Sequence, residues 1–276
     1  MNELRQRIKS ITDTTKGIIG ISVHELETGD TLTFNAQHHY PMLSTYKLPL
    51  ALAILHKVNQ GVLKLDQKIH VSAKDVKQDT WSPIIEQYPQ GNIDLSLKEV
   101  LEYTIAQSDN LGCDLLFRLI GGTHIVNEYI HSVGIDSMEI VATEEEMHKK
   151  WNAQYKNWCL PNAMDKILED IFHQKLLDKT LNALLIQILE STSFRPERIR
   201  GLLPKETVVA HKTGTSGTRL NVRAACNDLG IITLPNGHHV ALVIFITQSK
   251  SPLPIEEHQI ALISRAVYDF FAAVNH

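Results

Sequence analysis

The sequence predicts an α/β (α+β) fold: an antiparallel sheet made from the N- and C-terminal parts, flanked by helices, with an inserted all-α subdomain. Three observations predict it. Strand-like runs bounded by turn residues lie near both ends of the chain. Apolar residues at helical spacing fill the middle. Helical patterns also open and close the chain, where they can face the sheet. The expected division is an α/β subdomain from residues 1-39 and 199-276 and an all-α subdomain from 40-198, with the functional site at their interface.

Taken in order, Leu4, Ile8 and Ile11 recur at helical spacing and predict a helix over residues 2–14. Residues 17–25 are β-rich, Glu27-Thr28-Gly29-Asp30 turns the chain, and residues 31–34 return as the second strand of a hairpin. An apolar helix begins around Ser44 and ends near Gly61, a good residue to follow a helix C-terminus. Pro49 lies inside it and should cost a backbone hydrogen bond. Residues 63–80 show a weak pattern, and Trp81-Ser82-Pro83-Ile84 reads as an exposed loop carrying a large aromatic. Ser96 caps a helix through Leu97, Val100, Leu101 and Ile105 that stops at Ser108-Asp109-Asn110. Helices over 111–120 and 123–133 end in Gly121-Gly122 and Gly134. Residues 140–160 have no clean period and read as a long loop, a feature that is usually functional. Two helices follow, near 161–173 and 178–190. A strand over 207–211 then leads into Lys212-Thr213-Gly214. Residues 224–234, the turn Pro235-Asn236-Gly237 and residues 240–247 make another hairpin. A last helix is expected over 255–274.

Composition narrows the function. A chain of 276 residues with 43% hydrophobic and 21% charged residues lies in the globular range and can bury a good core. The net charge of −4 and the lack of a basic tract argue against nucleic acid as a partner. No apolar run reaches the length of a membrane span, so no membrane partner is expected. Cys113, Cys159 and Cys226 are sparse, odd in number and at no metal-like spacing, which argues against a disulfide framework. Fourteen histidines invite a metal reading, but neither H-E-x-x-H nor H-x-H-x-D occurs, and His238-His239 falls in a turn beside Asn236-Gly237. Catalysis is therefore expected to use no metal and no cofactor.

The chemistry gathers around Ser44 and Lys47. Three residues apart is close to one helical turn, so both side chains rise from one face. A hydroxyl at a helix start meets the positive end of the helix dipole. The apolar residues after Lys47 favour partial desolvation, which moves a lysine towards acting as a base. Taken alone, this is also how an ordinary N-cap looks. Ser108-Asp109-Asn110 at a helix break offers a second hydroxyl and an amide, or simply a cap for the next helix. Lys212-Thr213-Gly214 at a strand end could hold a carboxylate, with a glycine that lets a ligand approach the backbone, or could be a strand running into a loop.

S-x-x-K, then S-D-N, then K-T-G is the motif set of class A β-lactamases and penicillin-binding proteins. From about residue 31 onwards the sequence resembles a class A serine β-lactamase. Leu55-His56-Lys57-Val58-Asn59-Gln60-Gly61, Asp79-Thr80-Trp81-Ser82-Pro83-Ile84, Cys113-Asp114-Leu115-Leu116-Phe117 and Asn227-Asp228-Leu229-Gly230-Ile231-Ile232 look like its PER-type and VEB-type extended-spectrum branch. Glu144-Glu145-Glu146-Met147-His148, with Gln154-Tyr155-Lys156-Asn157-Trp158 after it, resembles that branch's enlarged Ω-loop.

The resemblance implies a role for each matching residue. Ser44 would be the acylated nucleophile, Lys47 its general-base partner, and Ser108 the relay of a proton to the β-lactam nitrogen. Asn110 would hydrogen-bond the substrate side chain, and Lys212 with Thr213 would bind its carboxylate. Backbone N–H groups of Ser44 and Thr215 would form the oxyanion hole. Glu144 would activate the water that releases the acyl-enzyme, chosen among three glutamates because Met147-His148 then take the Leu-Asn places of E-P-E-L-N. Trp81 would flank the cleft, and Arg198 would supply a carboxylate-binding guanidinium, with Arg223 as competitor. The resemblance also implies a monomer acting on small β-lactam molecules, periplasmic or secreted, with its signal peptide absent from this sequence.

Departures from the family pattern are local. Glu145 replaces a proline, His148 an asparagine, and Ala142 and Asn157 the arginine and aspartate that tie the loop neck. Ala51 and Leu101 stand where some members carry a disulfide. Two rival readings share the acylating set: a D-alanyl-D-alanine peptidase or penicillin-binding protein, and a β-lactam sensor that stays acylated. Glu144 in a long loop argues against the first.

Overall fold

The computed structural model describes residues 1–77 and 79–273. Val274, where the sequence pattern ends the last helix, lies outside them. Helix α1 (Asn2–Thr12) leads into β1 (Ile18–Glu25) and β2 (Thr31–Phe34), the expected hairpin. Strand β3 (Tyr40–Pro41) and a 3-10 turn (Leu43–Tyr46) precede α2 (Lys47–Asn59). Strand β4 (Lys68–Val71), α3 (Pro83–Gln87), β5 (Ile93–Ser96), α4 (Leu97–Ala106), α5 (Asn110–Ile120) and α6 (Thr123–Ser132) follow. Next come β6 (Met138–Glu139), α7 (Glu144–Lys149), β7 (Trp158–Cys159), α8 (Pro161–Phe172) and α9 (Lys179–Glu190). Strands β8 (Val209–Thr215), β9 (Thr218–Arg219), β10 (Val222–Arg223), β11 (Cys226–Thr233) and β12 (His239–Thr247) precede α10 (Leu253–Ala273).

The main sheet is antiparallel throughout, in the order β2-β1-β12-β11-β8. Its central strand β12 reads as a continuous apolar run because both faces are covered. Val240, Leu242, Ile244 and Ile246 enter one core with Leu4 and Ile8 of α1 and Ile260 and Phe271 of α10. Ala241, Val243 and Phe245 alternate into a second core, shared with α2, α4, α5, α8 and α9. Helix α2 is the centre of that second core. Every residue from Leu48 to Leu55 is buried, so the helix is apolar all round rather than striped. Pro49 is the third residue of α2, in the first turn, where N–H groups lack α-helical partners and proline is tolerated.

Several sequence expectations change here. The weak stretch after Gly61 holds β4, which pairs with β5, and β3-β7-β6 form another small sheet. Strands of two to four residues are too short to show a period. Trp81-Ser82-Pro83-Ile84 is not a simple loop: buried Ser82 N-caps α3, its Oγ accepting from Ile85 N–H, with proline in the first turn. Within 140–160 lies α7, too short for an amphipathic stripe and marked only by its capping box, Thr143 with Glu146. The strand expected to stop at His211 runs on to Thr215, so Lys212-Thr213-Gly214 lie inside it, paired with Leu229, Asp228 and Asn227 of β11.

Candidate active site

Ser44 stands in the 3-10 turn ahead of α2, and α2 itself starts at Lys47. The residue before the serine, Leu43, has φ of +47°, and Ser108 has +58°. Both are left-handed conformations that side chains avoid, so the surrounding contacts hold them at some cost. The serine turn lies directly against β8. A Cβ on Gly214 would come within 2.6 Å of Met42 O, so this glycine makes room for the serine-bearing backbone rather than for a ligand. Asn227, on β11, pins the same segment by donating Nδ2 to Pro41 O at 2.9 Å and Met42 O at 3.1 Å.

Two lysines bracket Ser108. Lys47 is fully buried and donates Nζ to Ser108 O at 2.9 Å and Asn110 Oδ1 at 2.6 Å. Lys212, also fully buried, donates Nζ to Ser108 Oγ at 2.9 Å and to Thr213 O at 3.0 Å. Burial, then the charge of Lys47, push the Lys212 ammonium well below the ordinary lysine range. Asp109 is the cap rather than a cleft residue. Its carboxylate accepts from Gly112 N–H at 2.7 Å, Ile84 N–H at 2.8 Å and the Ser82 hydroxyl, and burial raises its pKa. Asn110 is held in turn by Thr80, whose Oγ1 accepts from Nδ2 at 2.9 Å.

Of the three consecutive glutamates, Glu144 faces the lysines: its Oε1 lies 3.2 Å from Lys47 Nζ. Glu145 turns outward to Lys149 at 2.6 Å, and Glu146 accepts from Thr143 N–H at 2.9 Å. The first N–H groups of α7 are all accounted for. Those of Glu144 and Glu145 donate to the two oxygens of Asp114 at 2.9 and 3.0 Å. Those of Glu146 and Met147 donate to Thr143. Burial and the Glu144 charge push the Asp114 carboxyl up to about 7. Asp114 is a site residue that sequence reasoning missed, because it looks like any polar residue on α5. The loop neck lacks the family's ion pair, as the sequence indicates, but Asn157 replaces it. Its Oδ1 accepts from the N–H groups of Val141 and Ala142 at 2.8 and 2.9 Å, and its Nδ2 donates to Ala142 O at 2.7 Å.

A cleft of about 290 Å³ opens between these groups, walled by Asn110, Glu144, exposed His148, Trp151, Thr215 and Gly217 among others. Of the expected site residues, Asn110, Glu144 and Thr215 line it; Ser44, Lys47, Ser108, Lys212, Thr213, Arg198 and Trp81 do not. Arg198 is fully buried: its guanidinium donates to Gly214 O, Asn227 O and Thr215 Oγ1, at 3.1, 2.7 and 2.6 Å, with Glu257 beside it at 3.3 Å. It stands behind Thr215 and holds its hydroxyl. Trp81 is 46% exposed, but its ring packs on Phe194 and its Nε1 donates to Gln107 O at 3.0 Å. Arg223 is occupied too, 2.9 Å from Glu256 Oε2 and donating to Ser216 O. Thr213 Oγ1, by contrast, is buried with no hydrogen-bond partner among the described residues, a donor left over. The three cysteines are buried and unpaired.

Comparison with known proteins places the chain in a family. Residues 3–271 match the model of the Beta-lactamase enzyme family. The chain is 39% identical over 272 residues to β-lactamase VEB-1 of Pseudomonas aeruginosa, covering 98% of this chain and 91% of that protein. It is also 39% identical over 267 residues to extended-spectrum β-lactamase PER-1 of the same organism, covering 97% and 87%. A β-lactamase structure from Chitinophaga pinensis superposes with a TM-score of 0.96 at 48% identity, covering 98% of this chain and 99% of that one. The serine turn, the two buried lysines and the glutamate-bearing loop thus sit in a chain that belongs to the class A serine β-lactamases, hydrolases of β-lactam antibiotics that confer resistance to them.

Proposed function

We propose that the hydrolysis runs through an acyl-enzyme on Ser44. Ser44 Oγ attacks the lactam carbonyl carbon while the Lys47–Glu144 pair takes its proton. The negative oxygen that develops is held by the backbone N–H groups of Ser44 and Thr215. As the carbonyl-to-nitrogen bond breaks, Ser108 passes its proton to the ring nitrogen and is resupplied with the proton that the Lys47–Glu144 pair took from Ser44, while Lys212 holds its hydroxyl in place. Glu144 then deprotonates a water that attacks the ester, and the ring-opened β-amino acid leaves with Ser44 restored. Asn110 orients the substrate side chain, and the spare hydroxyl of Thr213 with Lys212 receives the substrate carboxylate. Arg198 sets the position of Thr215. No metal or cofactor enters these steps.

The observation that carries this reading is the Glu144 carboxylate 3.2 Å from Lys47, on the wall of a cleft that Leu43, the residue before Ser44, also lines. A sensor that stays acylated needs the serine and the lysines but no base that releases the ester. The substrates are penicillins and cephalosporins, met as a monomer in the periplasm or outside the cell; among the described residues no helix is long and apolar enough to cross a membrane. Ser44→Ala tests the nucleophile. It abolishes covalent labelling by a fluorescent penicillin while wild type turns over nitrocefin many times. Stoichiometric colour without turnover in the wild type would support the sensor instead.

A further inference from the structure

The turns at the far end of the main sheet bring together groups that the hydrolysis does not use. Glu25 ends β1, Glu27 follows it, and His238 and His239 close the turn into β12. Register fixes the two turns side by side: Glu25 pairs with Val240, and Leu26 N–H donates to His239 O at 2.9 Å. The side chains then converge. His238 Nδ1 lies 2.6 Å from Glu25 Oε1 and 4.0 Å from Glu27 Oε2, while His239 Nδ1 lies 2.7 Å from Glu27 Oε1. One donor atom from each of Glu25, Glu27 and His238 falls within 4.8 Å of the others.

Glu25 is buried, and its Oε2 accepts from the Thr28 hydroxyl and N–H. Its Oε1 faces the His238 imidazole, and Glu27 Oε2 accepts from His239 N–H at 2.8 Å. Imidazole nitrogen with carboxylate oxygen is the donor set of borderline transition metals, zinc first among those available to cells.

We propose that Glu25, Glu27 and His238 form a structural site for Zn²⁺ or a similar borderline divalent ion, with His239 as the neighbour able to complete it. Three ligands of this kind leave a fourth tetrahedral position for His239 or water. The pairs now in contact need open only enough for an ion with bonds of about 2 Å to enter between them. The bound ion clamps the β1–β2 turn to the β11–β12 turn and has no part in β-lactam hydrolysis.

The full-length protein, stripped with EDTA and exchanged into chelator-free buffer, is titrated with ZnCl₂ by calorimetry and its melting followed by circular dichroism. Wild type is expected to take one zinc per chain and to melt about 5 °C higher at 100 times the dissociation constant. His70→Ala, which breaks an exposed His70–Asp94 pair on another face, serves as control and keeps both properties. His238→Ala and the surface change Glu27→Gln lose affinity by more than the tenfold that removal of an outer partner costs. Nitrocefin hydrolysis stays unchanged in all of them. Cobalt in place of zinc should give the visible absorption of a tetrahedral site in wild type only. No zinc uptake, or equal affinity in wild type, His238→Ala and Glu27→Gln, would overturn the proposal.

Discussion

Replacing Asp114 by asparagine should stabilise the fold and slow the enzyme. Burial and the facing Glu144 push the Asp114 carboxyl from 3.8 to about 7. A folded pKa above the unfolded one means that the folded protein holds the extra proton. Stability is therefore fullest below pH 3.8 and is lost as pH rises to about 7. Roughly three units at about 1.4 kcal/mol each put the cost of the ionised group at pH 8 on the order of 4 kcal/mol. Asparagine carries no charge and removes that cost. Its amide, however, offers one oxygen to the two N–H groups that Asp114 now receives, and turns a donor towards the other. A buried N–H left without a partner costs about 1–3 kcal/mol. The net gain at pH 8 is then about 1–3 kcal/mol, or roughly 2–8 °C in melting temperature for a chain of this size. At pH 5, about 1.2 units above 3.8, wild type has lost only about 1.7 kcal/mol, which the unpartnered N–H of the variant offsets, so the gain vanishes. Deacylation moves the other way. Loss of one of the two anchors at the start of α7 lets Glu144 drift, and misplacement by about 1 Å costs up to about 100-fold. Circular dichroism melts at pH 5 and 8, with quench-flow mass spectrometry of the penicilloyl enzyme, read both effects. A variant that melts below wild type at pH 8, or that deacylates at the wild-type rate, would refute the reasoning.

Two further changes probe the frame of the site. Gly214→Ala puts a methyl group 2.6 Å from Met42 O, so the serine turn or β8 must shift. Overpacking of this kind costs about 1–3 kcal/mol, and acylation measured with a fluorescent penicillin should slow at least tenfold while any acyl-enzyme formed still turns over. Asn157→Ala leaves the N–H groups of Val141 and Ala142 without their acceptor, a loss of about 2–4 kcal/mol. Hydrogen exchange over residues 141–147 should accelerate well before the rest of the chain does; unchanged protection there would show that the neck is held by other contacts.

The acylating half of the site was legible because its chemistry is written in short motifs. Lys47 and Lys212 meet at Ser108, Ser44 stands one turn ahead of Lys47, and Lys47 is buried because α2 is apolar on every side. The sheet was legible for a related reason, since long apolar strands bounded by turns announce themselves. What the sequence hid depends on contacts across distance. Asp114 lies 30 positions from Glu144, and Asn227 lies more than 180 from the backbone it pins. A buried amide or carboxylate that serves remote N–H and C=O groups carries no local pattern. Arg198 shows the opposite error: a sequence displays the charge but not that Gly214, Asn227, Thr215 and Glu257 already occupy it. Helix α7 was hidden by its length, with only Thr143 and Glu146 to betray it.

The central claim is that Glu144, and neither of its two neighbours, releases the acyl-enzyme. Glu144→Ala, Glu145→Ala and Glu146→Ala should each be mixed with a penicillin and followed by intact-protein mass spectrometry. With Glu144→Ala, an adduct of one penicilloyl group per chain should accumulate and decay 10²–10⁴ times more slowly than in wild type, the range a general base supplies, roughly. The other two variants should clear the adduct at close to the wild-type rate. Rapid clearance by Glu144→Ala, or an adduct that persists only when Glu145 or Glu146 is removed, would contradict it.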